Sequence, residues 1–198
     1  MVSVEHTRDV WNPELIKGSR VLLRRHRADD LVAVRRWYHD PELARLTRYA
    51  LRPMSDDEID RFFHGRLMSP ESVAYAIEIR DSQRLIGLTT FSNLDPDNGS
   101  VLFHISIGEP DVWGDGYGTE ATELMLWLAF ERIGLHRVAL SVFSFNERAV
   151  RSYEKAGFEI EGREREAIIR DGRRWDELTM GILERDWRAR QAQGADDR

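Results

Sequence analysis

Residues 111–122 read DVWGDGYGTEAT, with Gly114, Gly116 and Gly118 at alternate positions between a strand-like apolar stretch and the helical run LMLWLAF. Glycines in such a turn let successive backbone N–H groups point one way without Cβ clashes. At a helix N-terminus those donors are unpaired and lie at the positive end of the dipole. The chemistry this favours is the binding of a phosphate or pyrophosphate; the alternative is a tight, closely packed turn. No Gly-Lys-Ser/Thr follows, which excludes a nucleoside-triphosphatase loop. Gly116, Gly118 and Ala121 satisfy Gly-x-Gly-x-x-Gly/Ala, but the loop follows a hairpin meander rather than opening a parallel βαβ unit, so NAD is rejected.

The surrounding elements are readable from period and punctuation. RVLLRR (20–25) is a short strand, and Leu31, Val34, Trp37 and Tyr38 fall at helical spacing in a helix that Asp40-Pro41 ends. Ser55 and Glu58 form a capping-box pattern opening a second helix over 55–67. Residues 72–80, 84–92 and 101–108 read as a three-strand meander, and 119–133 as a helix stopped by Gly134. A strand over 136–144 leads to a helix capped by Asn146 and ended by Gly157, and 158–170 and 173–183 form a hairpin over Asp171-Gly172. This order predicts a mixed α/β (α+β) domain: a central, mostly antiparallel twisted sheet with helices on both faces. Residues 1–18 stand as an N-terminal extension, 19–187 as one domain and 188–198 as a frayed polar tail.

The 198-residue chain carries a net charge of −6, which argues against nucleic-acid or anionic-membrane partners. Residues 71–134 hold 11 acidic and 3 basic side chains, which suits a solvated face or a cationic partner. There is no cysteine, so thiol nucleophiles and disulfides are excluded. No apolar run reaches membrane-spanning length and the first residues lack a signal-peptide core, so a cytoplasmic protein without a metal is expected.

WGDGYGTEAT, then GLHRVALSV (134–142), then NERAVRSYEKAGFEIEGRERE (146–166), in this order, closely resemble the GNAT N-acetyltransferases. The likeness runs from about residue 20 to 187, within the branch of ribosomal-protein N-terminal, polyamine and some antibiotic acetyltransferases. The resemblance implies an acyl-CoA acyltransferase fold and acetyl-CoA as cosubstrate. It implies that Trp113, Gly114, Asp115, Gly116, Tyr117, Gly118 and Thr119 wrap the pyrophosphate with backbone amides. The strand at Ile105, Ser106 and Ile107 would pair with the pantetheine arm, and the Ile107 amide would polarise the thioester carbonyl. Asn146 would approach the pantetheine besides capping its helix; Arg148 and Arg151 would meet the 3′-phosphate or stand as surface arginines. Two positions depart from the common pattern. Trp113 stands where many members have Arg or Gln, although Trp is usual in the branch it resembles, and Asp115, where a basic or neutral residue is common, is an acid that suits a pyrophosphate only if it turns to solvent.

Tyr153 matches the family's tyrosine general acid; by spacing alone it reads as a core residue beside Val150 and Gly157. The strand position where many members carry a glutamate base is Leu102, which cannot act. His104, two residues along on the same face, is the candidate base, with Glu78 a distant second. A site with so weak a base fits an acceptor amine of low pKa. An α-amine is neutral at roughly the ten-per-cent level at pH 7, a lysine-like nitrogen at well under one per cent. The expected partner is a small-molecule or peptide amine, shaped around by Tyr38, Arg45, Tyr49, Phe62, Phe63 and Trp175. The competing reading is a non-catalytic acyl-CoA-binding sensor or interaction module, and the resemblance admits a homodimer.

Overall fold

The computed structural model describes residues 13–196. Eight strands form one sheet: β1 (Leu15–Lys17), β2 (Val21–Arg24), β3 (Ala74–Ile79), β4 (Leu85–Asp95), β5 (Ser100–Ile107), β6 (Arg137–Phe143), β7 (Glu159–Arg170) and β8 (Arg173–Leu183), in the order β1-β2-β3-β4-β5-β6-β8-β7. All neighbours are antiparallel except β5 and β6. The helices are α1 (Asp30–His39), α2 (Pro41–Thr47), α3 (Asp56–Phe62), α4 (Tyr117–Trp127), α5 (Glu147–Ala156) and α6 (Glu184–Asp196). α3 and α4 each run on into a wider π-helical turn, over Phe63–Leu67 and Leu128–Ile133.

The helices cover both faces, as the sequence pattern requires. Met125, Leu126, Leu128, Ala129 and Phe130 from α4 and its continuation pack on Val101 and Phe103 of β5 and Leu140 of β6, with Tyr153 of α5 and Trp187 of α6 beside them. On the other face Val34, Trp37, Leu43, Ile59, Phe63 and Leu67 pack on Ala74 and Leu88. The capping box forms: Ser55 and Glu58 each bind the other's backbone amide.

Three expectations change. Asp40-Pro41 ends one helix and starts another, because Pro41 sits in the first turn of α2, where its missing N–H costs nothing, and the Asp40 side chain accepts from the Leu43 amide at 2.9 Å. Part of the segment read as an extension, Leu15–Lys17, is an edge strand on β2; the rest of that expectation up to residue 12 lies outside the described residues. Residues 188–196 of the expected frayed tail belong instead to helix α6, anchored by Trp187, whose ring lies 5.5 Å from that of Phe130; 197 and 198 lie outside the described residues. At the opposite edge β7 is long, exposed and charged, with irregular register between Ile160 and Gly162 and between Glu164 and Ile168.

A buried ion cluster fixes β2, β3 and α1 together. Arg24 makes two bonds of 2.8 Å to the Asp30 carboxylate and one of 2.6 Å to Glu78. Glu78 is therefore bound structurally and is not a base. Burial alone would raise the Asp30 pKa, but Arg24, the His26 ring nearby and the Arg27 amide outweigh it and hold the carboxyl well below the usual carboxylate range. A depressed native pKa stabilises the fold above the unfolded value of about 3.9, and that stabilisation is lost as pH falls below it. Arg24→Met leaves two buried carboxylates without their cation. We expect it to cost about 3–5 kcal/mol by urea denaturation at neutral pH, with a gap to the wild type that narrows on acidification below about pH 4.

Candidate active site

β5 and β6 pair over three positions only, Ser100↔Arg137, Val101↔Val138 and Leu102↔Ala139. Beyond them β5 stays on β4 as far as Gly87↔Ile107, and β6 stays on β8 as far as Phe143↔Glu177. The sheet therefore splits along its one parallel junction, and the split opens a cleft of about 960 Å³. Gly108 N donates to Ile86 O at 2.8 Å, and the alternation of an antiparallel ladder then turns the amides of Ile105 and Ile107 away from β4 and into the gap. The Ile107 carbonyl receives the Trp113 indole N–H at 2.8 Å.

The glycine loop closes one end. Gly114 and Gly116 have φ of 93° and 86°, a backbone that L side chains rarely adopt, and Gly116 is the residue before α4. No side chain caps the start of this helix, so its first amides are open. Glu120 holds the loop in place: it accepts from the amides of Arg20 and Val21 at 2.8 and 3.2 Å, while Arg20 also donates to the Asp115 carbonyl at 3.0 Å. From the other side Glu109 accepts from Trp37 at 2.8 Å and Arg84 at 2.9 Å, and from Arg36, which fixes the approach to the loop against α1. Thr119 and Ser152 hydroxyls meet at 2.8 Å and tie α4 to α5.

Most of the residues singled out from sequence come together here. Trp113, Gly114, Gly116, Gly118, Thr119, Ile105, Ser106, Ile107, Asn146, Arg148 and Arg151 line the cleft, with His104 and Tyr153. Asp115 and Tyr117 do not; Asp115 is exposed, with its side chain in solvent, and Arg20 covers the Tyr117 ring at 4.9 Å. Asn146 accepts from the Ala149 amide at 3.3 Å as a cap and donates to Leu46 O at 3.4 Å. The Arg148 guanidinium lies 3.8 Å over the Trp113 ring, and burial there lowers its pKa. Arg151 pairs with Glu147 at 3.0 Å. Lys155 also lines the cleft, one helix face with Arg148 and Arg151, a spacing the sequence already displays.

Tyr153 is packed against Phe103 and Phe158, and burial pushes its pKa up to about 12. Its hydroxyl makes no hydrogen bond to a described residue. His104 is exposed by surface area, yet its ring stands within the cleft walls. That desolvation, with the charge of Arg66, lowers its pKa from 6.5, so the ring is neutral at pH 7. Its Nε2 lies 2.6 Å from the Ser92 hydroxyl.

Of the acceptor candidates, Tyr38, Tyr49 and Phe62 line the cleft, and burial pushes the Tyr38 phenol up to about 12. Phe63 is wholly buried in the second core, Arg45 pairs with Glu42 and Asp171, and Trp175 packs edge-on against Phe145, all outside the cleft wall. Arg66 and Glu177 line the cleft without having been singled out, because nothing local marks a strand glutamate or a helical arginine as facing a gap.

Residues 20–159 match the model of the acetyltransferase (GNAT) domain, and the chain belongs to that family. It is an N-acetyltransferase, with acetyl-CoA as the cosubstrate. It is 30% identical over 131 residues to a spermidine N(1)-acetyltransferase of Vibrio cholerae, covering 66% of this chain and 74% of that one. The solved spermidine N-acetyltransferase of Vibrio cholerae, in complex with CoA and spermine, superposes with a TM-score of 0.75 at 25% identity, covering 86% of this chain and 99% of that one. A GNAT-family acetyltransferase from Bacillus anthracis shares the fold with a TM-score of 0.74 at 22% identity, over 86% of this chain and 99% of the other. Among the described residues no group of three or more His, Asp or Glu side chains could hold a metal ion, and no helix is long and apolar enough to cross a membrane.

The open amides, positive-φ glycines and free strand edge fit an elongated ligand with a pyrophosphate at the α4 end. Gly116→Val places a β-branched side chain at φ 86°, where it is strained, while the nearby end of Arg20, about 3.0 Å from the new Cβ, can shift aside. The expected result is a rise of about tenfold or more in the acetyl-CoA Kd by calorimetry. An unchanged Kd in a folded variant would remove the anion site from this loop.

Proposed function

We propose that the protein transfers an acetyl group from acetyl-CoA to a primary amine by direct attack in a ternary complex. The amine belongs to a peptide N-terminus, a polyamine or an amine-bearing small molecule. The observation that carries this reading is the convergence of four features on one cleft: the open amides of α4, the free edge of β5, His104 and Tyr153. Acetyl-CoA supplies an acetyl group activated as a thioester. The α4 amides would hold its pyrophosphate, with Arg148, Arg151 and Lys155 placed for further phosphate charge. The edge amides at Ile105 and Ile107 would align the pantetheine arm, and the Ile107 N–H would stabilise an oxyanion.

His104, neutral at pH 7, accepts a proton from the attacking nitrogen, and Ser92 orients its ring. Tyr153 keeps its proton throughout the working pH range and donates toward the departing sulfur. A phenol at about 12 is a weak acid beside a thiol of about 8.5, but the desolvation that raises the phenol raises the thiol as well.

Two measurements test these roles. Tyr153→Phe should lower kcat by about 10²–10⁴-fold in a thiol-release assay while leaving the acetyl-CoA Kd unchanged. The wild-type rate should fall with acidification through an apparent pKa below 6.5, because the His104 ring must be unprotonated to accept. His104→Ala should be slower and lack this limb; an unchanged pH–rate profile removes His104 from the chemistry. The assay runs across peptide N-termini, free amino acids, spermidine and aminoglycosides, and acetyl-CoA binding without turnover on any of them would remove these acceptor classes.

A further inference from the structure

Four carboxylates are buried among the described residues: Asp30, Glu78, Glu109 and Glu177. Asp30 and Glu78 are paired with Arg24, and Glu109 with Arg36 and Arg84. Glu177 is 8% exposed and forms no ion pair with a described cation. Its hydrogen bond comes from the Tyr49 hydroxyl, and both side chains line the cleft. The buried Arg170 of the same hairpin directs its donors to the carbonyls of Arg45, Arg48, Tyr49 and Ile169 instead. Burying a carboxylate without a cation is costly, and such groups are ordinarily paired. Here the missing cation has an open route, because the carboxylate stands in the wall of the cleft.

Resting on the transferase reading above, the geometry points to Glu177, with Tyr49, as the site that receives a positively charged nitrogen of the acceptor. That nitrogen is not the one acetylated. Ion pairing with a carboxylate stabilises the protonated amine, whereas attack on a thioester needs the free lone pair. The acceptor class is therefore an amine with a second, cationic nitrogen, held charged at Glu177 while the other nitrogen reaches His104. The retained charge also lowers the pKa of the reacting nitrogen, which suits a base as weak as His104. Glu177 sets which amine is used and takes no part in bond making.

The test reads amine binding apart from turnover. Thermal melting of the wild type and of Glu177→Gln is followed with putrescine, with butylamine as its singly charged match, and separately with acetyl-CoA. The wild-type midpoint should rise with putrescine and not with butylamine. Glu177→Gln should lose the putrescine response and keep the acetyl-CoA response. In turnover its KM for putrescine should rise about 30-fold or more, with kcat and the acid limb of the pH profile little changed. Glu177→Leu, which replaces the carboxylate with an apolar side chain of similar size, should lose the putrescine response likewise, and it decides the matter where the glutamine variant does not fold. Equal responses to the two amines, an unaltered response in Glu177→Gln or Glu177→Leu, or no wild-type response to putrescine would each overturn the assignment. Because the amine response is read without acetyl-CoA, a failed transfer reaction counts against the transferase reading alone.

Discussion

Everything in this site depends on two parallel strands that stop pairing. After Leu102 and Ala139, β5 and β6 each remain bonded on one side only. An unpaired strand edge inside a protein is unfavourable unless something satisfies it. The separation is held open by elements on both faces: α4 and α5 on one, α1 to α3 on the other, and the Glu109 and Glu120 clamps at the loop between β5 and α4. The gap places backbone donors, a helix N-terminus and two titratable rings around one volume. No single element could present all of these.

The chemistry at either side of the gap follows from different degrees of desolvation. Tyr153 sits among aromatic rings and is driven toward its neutral form; His104 is driven toward neutrality as well, but a neutral imidazole is a base and a neutral phenol is an acid. The same physical cause therefore leaves one residue able to accept a proton and the other able to donate one. Away from the cleft the chain neutralises buried charge locally with arginine, at Arg24 and at Arg84.

Much of this was legible in the sequence where a local rule applied. The glycine loop, the Ser55–Glu58 box, the Asn146 cap and the Asp171-Gly172 turn are all statements about a few adjacent residues, and backbone sterics decide them. The resemblance to the GNAT family pointed to Tyr153 and to the strand at residues 105–107, and His104 followed from its place two residues beyond Leu102 on the same face. What stayed hidden was non-local or two-sided. Three residues are too few to show a strand period, so β1 was missed. Pro41 both ends and begins a helix. α6 is polar apart from its anchor, and it is tied down by non-local contacts: Trp187 to Phe130, Arg188 to Glu131 and Arg190 to the Lys155 carbonyl. Phe63 and Trp175 are aromatic like the cleft residues, and only packing separates them. Glu177 gains its meaning from Tyr49, 128 positions away along the chain.

The outer edges of the sheet are treated in the opposite way to the inner ones. β1 offers three residues, and β7 carries Arg163, Glu164, Arg165 and Glu166 along an irregular, solvent-facing course. A strand arriving from another molecule meets a short ladder at one end and charged side chains with broken register at the other. Along β5 the open amides face the interior of the cleft, where an extended partner must enter end-on between walls. The consequence is that neither outer edge offers the long, flat, uncharged strand on which fibrillar self-assembly is templated.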